Sequence, residues 1–247
     1  WSRGGMALSF TSSPVNDLEW GPEGEMWVAF QSGVVAAVGG EKSRTFDLRE
    51  GRGELAVYDL AVDSHGDPFA ATSRGLFHFH LGAWKEVPPP DRNRQFSFKS
   101  LAFDQEGYLW AGEKYGLYRF RHGRWRSFTK AAGREIMDVA AIDVLPEGEL
   151  WLGTGFGVFH RAGQQWTYFN EEDGLPGNWV RILTVGSEDQ VWIGTMQGAA
   201  VYDGVSWLKY PEGEGLVDPR VGDIMVDPAG AVWFATQGGI SCFNPGE

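Results

Sequence analysis

The sequence predicts an all-β, six-bladed β-propeller with four antiparallel strands per blade, and three periodicities predict it. Trp27, Trp110, Trp151, Trp192 and Trp233, with Phe69 filling the gap, follow one another at steps of 42, 41, 41, 41 and 41 residues. Six residues after each stands a glycine: Gly33, Gly75, Gly116, Gly157, Gly198 and Gly239. A second tryptophan register, Trp84, Trp125, Trp166 and Trp207, repeats every 41 residues, and the apolar positions Val15, Val57, Phe98, Val139, Val180 and Val221 share the spacing. Periodic glycine and aromatic signals with four strands per ~40–50 residues are the mark of a propeller blade.

Each unit reads as strands A to D. Strand A is the alternating segment, as in Val57 to Val62, where the side-chain period is two. An Asp-x-x-Gly turn follows, as in Asp63 to Gly66 and Asp104 to Gly107. Strand B, typified by Leu150 to Thr154, is apolar enough to be buried on both faces. The periodic glycine ends a tight hairpin into strand C (Val158 to His160), and a second glycine turn leads to strand D around Trp166 to Phe169. Trp20, aligned with Val62, Phe103, Val144, Val185 and Val226, is expected in the core.

Closure sets the blade number. One unit of 42 residues and five of 41 account for all 247, as a single domain with blades at 15–56, 57–97, 98–138, 139–179, 180–220, and 221–247 completed by 1–14. Trp1 precedes Val15 by 14 residues, as Trp207 precedes Val221, so residues 1–14 are expected to supply strand D of the last blade. Ala7 to Phe10 is the alternative outer strand. Pairing of the termini would remove the open edge of an unclosed sheet.

Composition narrows the partners. Thirty-three acidic against 21 basic residues give a formal net charge of −12, which disfavours nucleic acid or an anionic membrane surface. No apolar stretch is long enough to span a bilayer. The one cysteine, Cys242, excludes an internal disulfide and a cysteine-rich zinc site. The isolated domain is expected to be a monomer.

The segments ELWLGTGFGVFHRAGQQWTYFNEEDGLPGNWV and QVWIGTMQGAAVYDGVSWLKY carry Asp-x-x-Gly, LWIGT, Gly-Leu, outer-Trp and Gly-Leu-Pro elements. In these the chain resembles the two-component-regulator propeller repeat family, over its whole length and most strongly in the units starting at residues 98, 139 and 180. The resemblance implies an extracytoplasmic, periplasmic or extracellular, sensor module of bacterial signalling, often linked to carbohydrate detection. A chain that lacks an initiator methionine and starts mid-blade is expected to be a mature or excised part of something longer.

The two rims differ. The A–B turns carry Glu23, Glu25, Asp63, Asp67, Asp104, Glu106, Glu147, Glu149, Glu188, Asp189 and Asp227 without a Lys or Arg; carboxylates that accept turn amides account for them. The opposite rim, built from B–C hairpins and D–A loops, is irregular, as a binding face on a rigid scaffold is. Its candidate ligand-binding residues are Arg74, Lys114, Tyr115, Phe156, Arg181, Gln197, Arg220 and Gln237, with Arg92, Arg94 and Arg134 in the longer loops. Trp179 stands out, because it belongs to neither tryptophan register and, unlike Trp20, aligns with no repeated strand position. An aromatic face beside the Gly-Leu-Pro-Gly-Asn loop suits stacking on a sugar ring or another planar ligand, with Arg181, Arg220 or Tyr115 adding donors.

Catalytic motifs are missing: no serine elbow, zinc-binding His-Glu-x-x-His or phosphate loop occurs, and Gly153 to Gly157 reads as a turn. His78 and His80 share a strand face, but the spacing supplies no further metal ligand. The sequence requires no cofactor. Asp17, Asp59 and Asp223, each two residues after a strand A start, define an alternative: a channel-mouth site for Ca²⁺ or another divalent cation, as in metal-dependent hydrolases or lactonases of this architecture. A protein–protein interaction scaffold is the third reading. The favoured one is a sensory or binding module for a carbohydrate or other small polar ligand.

Overall fold

A computed structural model of the chain describes residues 13–22, 24–39, 42–186, 190–210 and 215–244. The fold is an all-β, six-bladed propeller. Sheet one holds β1 (Val15–Trp20), β2 (Met26–Phe30), β3 (Val34–Gly39) and β4 (Lys42–Asp47), and sheet two holds β5 (Val57–Val62), β6 (Pro68–Thr72), β7 (Gly75–His80) and β8 (Ala83–Glu86). Sheet three contains β9 (Phe98–Phe103), β10 (Leu109–Glu113), β11 (Gly116–Arg121) and β12 (Arg124–Phe128), and a small hairpin of β13 (Lys130–Ala131) and β14 (Arg134–Glu135) follows it. Sheet four is β15 (Val139–Val144), β16 (Leu150–Thr154), β17 (Gly157–Ala162) and β18 (Gln165–Phe169). Sheet five is β19 (Val180–Val185), β20 (Val191–Thr195), β21 (Ala199–Tyr202) and β22 (Trp207–Tyr210).

Sheet six shows three strands among the described residues: β23 (Val221–Val226), β24 (Val232–Thr236) and β25 (Gly239–Phe243). The fourth strand expected from residues 1–14, with Trp1 and Ala7 to Phe10, falls on positions of which 1–12 lie outside the described residues, as do Glu23, Glu188 and Asp189. The fold divides into two compact units, one ending at Phe98 and one beginning at Lys99.

The inner strands begin at the six apolar positions read from the sequence. Five of them carry a bulge after the first residue, so that Asp17, Asp59, Ala141, Ile182 and Asp223 pair with Ala29, Ala71, Gly153, Gly194 and Ala235. Bulges bend a strand and re-aim its side chains.

Strand B tryptophans glue sheet one to sheet two, sheet four to sheet five and sheet five to sheet six. Trp151 lies 5.4 Å from Tyr202 and 6.2 Å from Trp207 of sheet five, the latter edge-on. Trp192 meets Phe234 at 5.6 Å and Phe243 at 5.8 Å in sheet six, and Trp27 meets Phe79 and Trp84 in sheet two. The acidic turn completes the layer: Trp110 donates its indole N–H to Asp104 Oδ2 at 2.8 Å, and Trp233 donates to Asp227 Oδ2 at 3.1 Å. Their other oxygens accept turn amides, Asp104 Oδ1 from Tyr108 and Asp227 Oδ1 from Ala229 and Ala231. These carboxylates are therefore structural.

Two packing expectations are corrected. Trp20 is 64% exposed rather than core. It ends its strand at a position where Val62, Phe103, Val144, Val185 and Val226 are themselves only half-buried. Strand B of sheet six is not buried on both faces: Val232 and Phe234 are inside, whereas Trp233 and Ala235 are exposed.

Candidate ligand-binding face

A repeated device fixes the B–C hairpins. Thr72, Thr154 and Thr195, all buried, donate Oγ1–H to the carbonyls of Gly75, Gly157 and Gly198 at 2.8, 2.8 and 3.0 Å. The same oxygens accept the amides of Arg74, Phe156 and Gln197 at 3.1, 3.1 and 3.0 Å. In sheet three the buried Glu113 takes over, its Oε2 accepting the Tyr115 amide at 2.8 Å. Arg74, Tyr115, Phe156 and Gln197 are thus held at equivalent hairpin tips of their own sheets.

In the second unit one of these tips opens on a groove of about 610 Å³, lined by Arg134, Glu135, Met137, Phe156, Tyr168, Asn170, Glu172 and Asn178. Tyr168 donates its hydroxyl to the Phe156 carbonyl, and the Arg134 guanidinium lies 4.2 Å from the Tyr168 ring centre. Burial pushes the Tyr168 hydroxyl pKa up, while Arg134 pulls it down. The loop behind is built by its own polar groups. Asn170 caps the short 3₁₀ turn Glu171–Asp173, its Oδ1 accepting the Glu172 amide at 2.7 Å, and Asp173 Oδ2 accepts the Asn170 amide in return. Asn178 Oδ1 accepts from the Glu171 amide at 3.0 Å. With both Oδ1 atoms so engaged, the donors these side chains offer a ligand are their Nδ2 groups.

Of the candidates, Phe156 and Arg134 line this groove, and Trp179, next to Asn178, is 60% exposed. Gln197 folds against the same loop: a Cβ added at Gly177 would lie 2.1 Å from its Oε1. Arg181 reaches Met196, with Nη1 3.6 Å from Sδ. Arg220 forms a two-pronged ion pair with Asp218, which holds the Asp218 carboxyl down at about 2. Gln237 donates its backbone N–H to the Arg220 carbonyl, and Lys114 Nζ lies 5.3 Å over the Tyr115 ring. Arg74 belongs to the first unit, where a groove of about 320 Å³ gathers it with Arg92, Arg94, Glu86 and Phe96. Tyr168, Asn170 and Asn178 were not foreseen. They lie in an outer strand and a non-repeating loop, and only the Asn-Glu-Glu-Asp-Gly capping pattern could have signalled the loop's rigidity.

The carboxylates of the metal alternative are engaged with backbone. Asp17 Oδ2 and Asp59 Oδ1 both accept the Leu60 amide, at 2.9 and 3.0 Å, and Asp223 Oδ1 accepts the Ile224 amide at 2.9 Å. Beside Asp17, burial and then the Asp17 charge push the Glu19 carboxyl up to about 7. An unfolded glutamate titrates near ~4.3, so the folded form binds the extra proton between roughly pH 4.5 and 7 and loses stability as pH rises through that window. Glu19→Gln is expected to raise Tm at pH 8, by about 1 kcal/mol of stability after solvent screening, and to leave Tm at pH 4 nearly unchanged. Thermal melts at the two pH values check it.

A second polar cluster corrects the reading of His78 and His80 as lacking a partner ligand. Asp67 Oδ2 lies 2.6 Å from His80 Nδ1 and 3.8 Å from His78 Nε2. It is the one group of three such side chains that gathers within metal-binding distance among the described residues.

No family profile and no curated protein matches the chain. Solved structures share its fold. The extracellular domain of a candidate hybrid two-component system, BT3049 from B. thetaiotaomicron, is 21% identical with a TM-score of 0.82, over 96% of this chain and 34% of that one. This chain thus spans about a third of that neighbour's length. Virginiamycin B lyase from Staphylococcus aureus is 14% identical with a TM-score of 0.80, over 98% and 84% of the two chains. PorZ, a surface component of the type-IX secretion system of Porphyromonas gingivalis, is 19% identical with a TM-score of 0.73, over 97% and 42%. At such identities the likeness establishes the fold alone. No helix among the described residues is long and apolar enough to cross a membrane.

Proposed function

We propose that this propeller is a ligand-binding, sensory module, working outside the cytoplasm, whose B–C and D–A loops recognise a carbohydrate or another small polar ligand. The groove beside Phe156 carries the reading. Its two aromatic rings offer apolar faces for the C–H side of a sugar ring. The Asn170 and Asn178 amides, Arg134, Glu135 and Glu172 offer donors and acceptors suited to hydroxyl groups around that ring. Its volume falls in the range of small-molecule sites, roughly 300–1,000 Å³. Similarity to extracellular domains of two-component systems supports the location and the sensory role.

A glycan array compared among wild type, Tyr168→Ala and Trp179→Ala tests this. Losing a stacking ring is expected to weaken the wild-type hits about tenfold, equivalent to ~1.4 kcal/mol, with Tyr168→Ala the larger effect. Identical profiles for all three proteins would remove the groove from the reading.

A further inference from the structure

We propose that Asp67, His78 and His80 form a binding site for a divalent transition-metal ion of the zinc type, separate from the loop-face groove. The hairpin register builds it. Phe69 pairs with His78 across β6 and β7, so Asp67, just ahead of β6, comes opposite His80 on the same face. Asp67 Oδ2 is 3.8 Å from His78 Nε2 and 2.6 Å from His80 Nδ1. Ligand atoms held at ~2.0–2.1 Å around a tetrahedral zinc stand roughly 3.3 Å apart. To reach that arrangement Asp67 must close on His78 and His80, whose side chain is 52% exposed, must turn away from Asp67.

His78 supplies an independent observation. Its ring is fixed against Phe69, stacked at 4.0 Å and 11°, and its Nε2 is buried without a hydrogen-bond partner. Leaving a buried polar nitrogen unsatisfied is costly, and a metal ion is a partner that would relieve it. Burial also holds the His78 pKa below its usual value, against the pull of Asp67 and Asp63.

The other sheets act as internal controls. In sheet four the equivalent residues Glu149 and His160 are paired at 2.7 Å, with His160 stacked on Trp151, but Ala162 stands where His80 would be. In sheet three the three places hold Tyr108, Arg119 and Arg121. Sheet two also has Phe69 in the tryptophan register. Asp63 there has no indole to accept from, unlike Asp104 and Asp227; its Oδ2 instead lies 3.7 Å from His65, within electrostatic reach of His78. Two imidazoles and a carboxylate favour zinc, nickel, copper or cobalt over calcium or magnesium, which prefer all-oxygen sites. Three protein ligands leave a coordination position for water.

The test is Co²⁺ titration of the tag-free protein at pH 7.5, followed by its visible d–d absorption and by Zn²⁺ competition. One equivalent of Co²⁺ should bind and be displaced by Zn²⁺. His80→Ala and Asp67→Asn, both on solvent-accessible positions, should weaken binding at least about tenfold, with circular-dichroism melts confirming that they fold. His160→Ala should bind as wild type does. Absence of a stoichiometric Co²⁺ site in wild type, or wild-type affinity in His80→Ala, would overturn the assignment.

Discussion

Trp151→Ala is expected to destabilise the protein by about 3–5 kcal/mol, the range for deleting a large buried aromatic. The indole is among the largest fully buried side chains and serves two sheets at once. Within sheet four it stacks with His160 at 3.9 Å and Phe169 at 6.1 Å, and it meets Tyr202 and Trp207 of sheet five. Removing it empties a layer whose neighbours are strands and cannot collapse inward easily. Trp151→Phe should be milder than Trp110→Phe. The Trp151 indole nitrogen is buried without a hydrogen-bond partner, because Leu145 stands where Asp104 accepts the Trp110 indole N–H. Urea unfolding of the three variants measures both effects; a loss below ~1 kcal/mol in Trp151→Ala would show that the aromatic layer does not hold these sheets together.

Gly194→Ala is the second large effect, at about 1–3 kcal/mol for forcing one methyl into a filled space. A Cβ at Gly194 would lie 2.6 Å from both Ile182 Cγ2 and Val221 Cγ1, the latter the first residue of the next inner strand. Gly112 meets Val139 at 2.6 Å and Gly153 meets Val180 at 2.8 Å in the same way. The glycine of the LWIGT segment is therefore where one sheet's second strand admits the next sheet's first. Val221→Ala should be destabilising by itself yet partly rescue Gly194→Ala. A double-mutant cycle with no coupling would refute the contact.

What could be read from residues alone divides by periodicity. The strand B tryptophans, the hairpin glycines and the inner-strand starts repeat because each solves the same packing problem six times, so the architecture was legible. Trp20 was misread because its alignment with four valines and Phe103 said nothing about how far the strand end is buried. Trp179 was singled out for belonging to no register, and it is exposed beside the groove loop. Tyr168, Asn170 and Asn178 escaped notice because their neighbourhood depends on how a loop of one unit meets the hairpin of its own blade, which spacing does not encode. Asp67 was counted as one more turn carboxylate; only the pairing of Phe69 with His78 brings it opposite His80.

In sheets two, four and five the buried threonine of the B–C hairpin grips a glycine carbonyl and a backbone amide, never the side chain displayed at the tip. Arginine, phenylalanine and glutamine consequently sit in interchangeable sockets. Recognition can be rewritten there one residue at a time while the scaffold stays untouched, so drift or a designer can retune what the molecule senses without first re-solving how it folds.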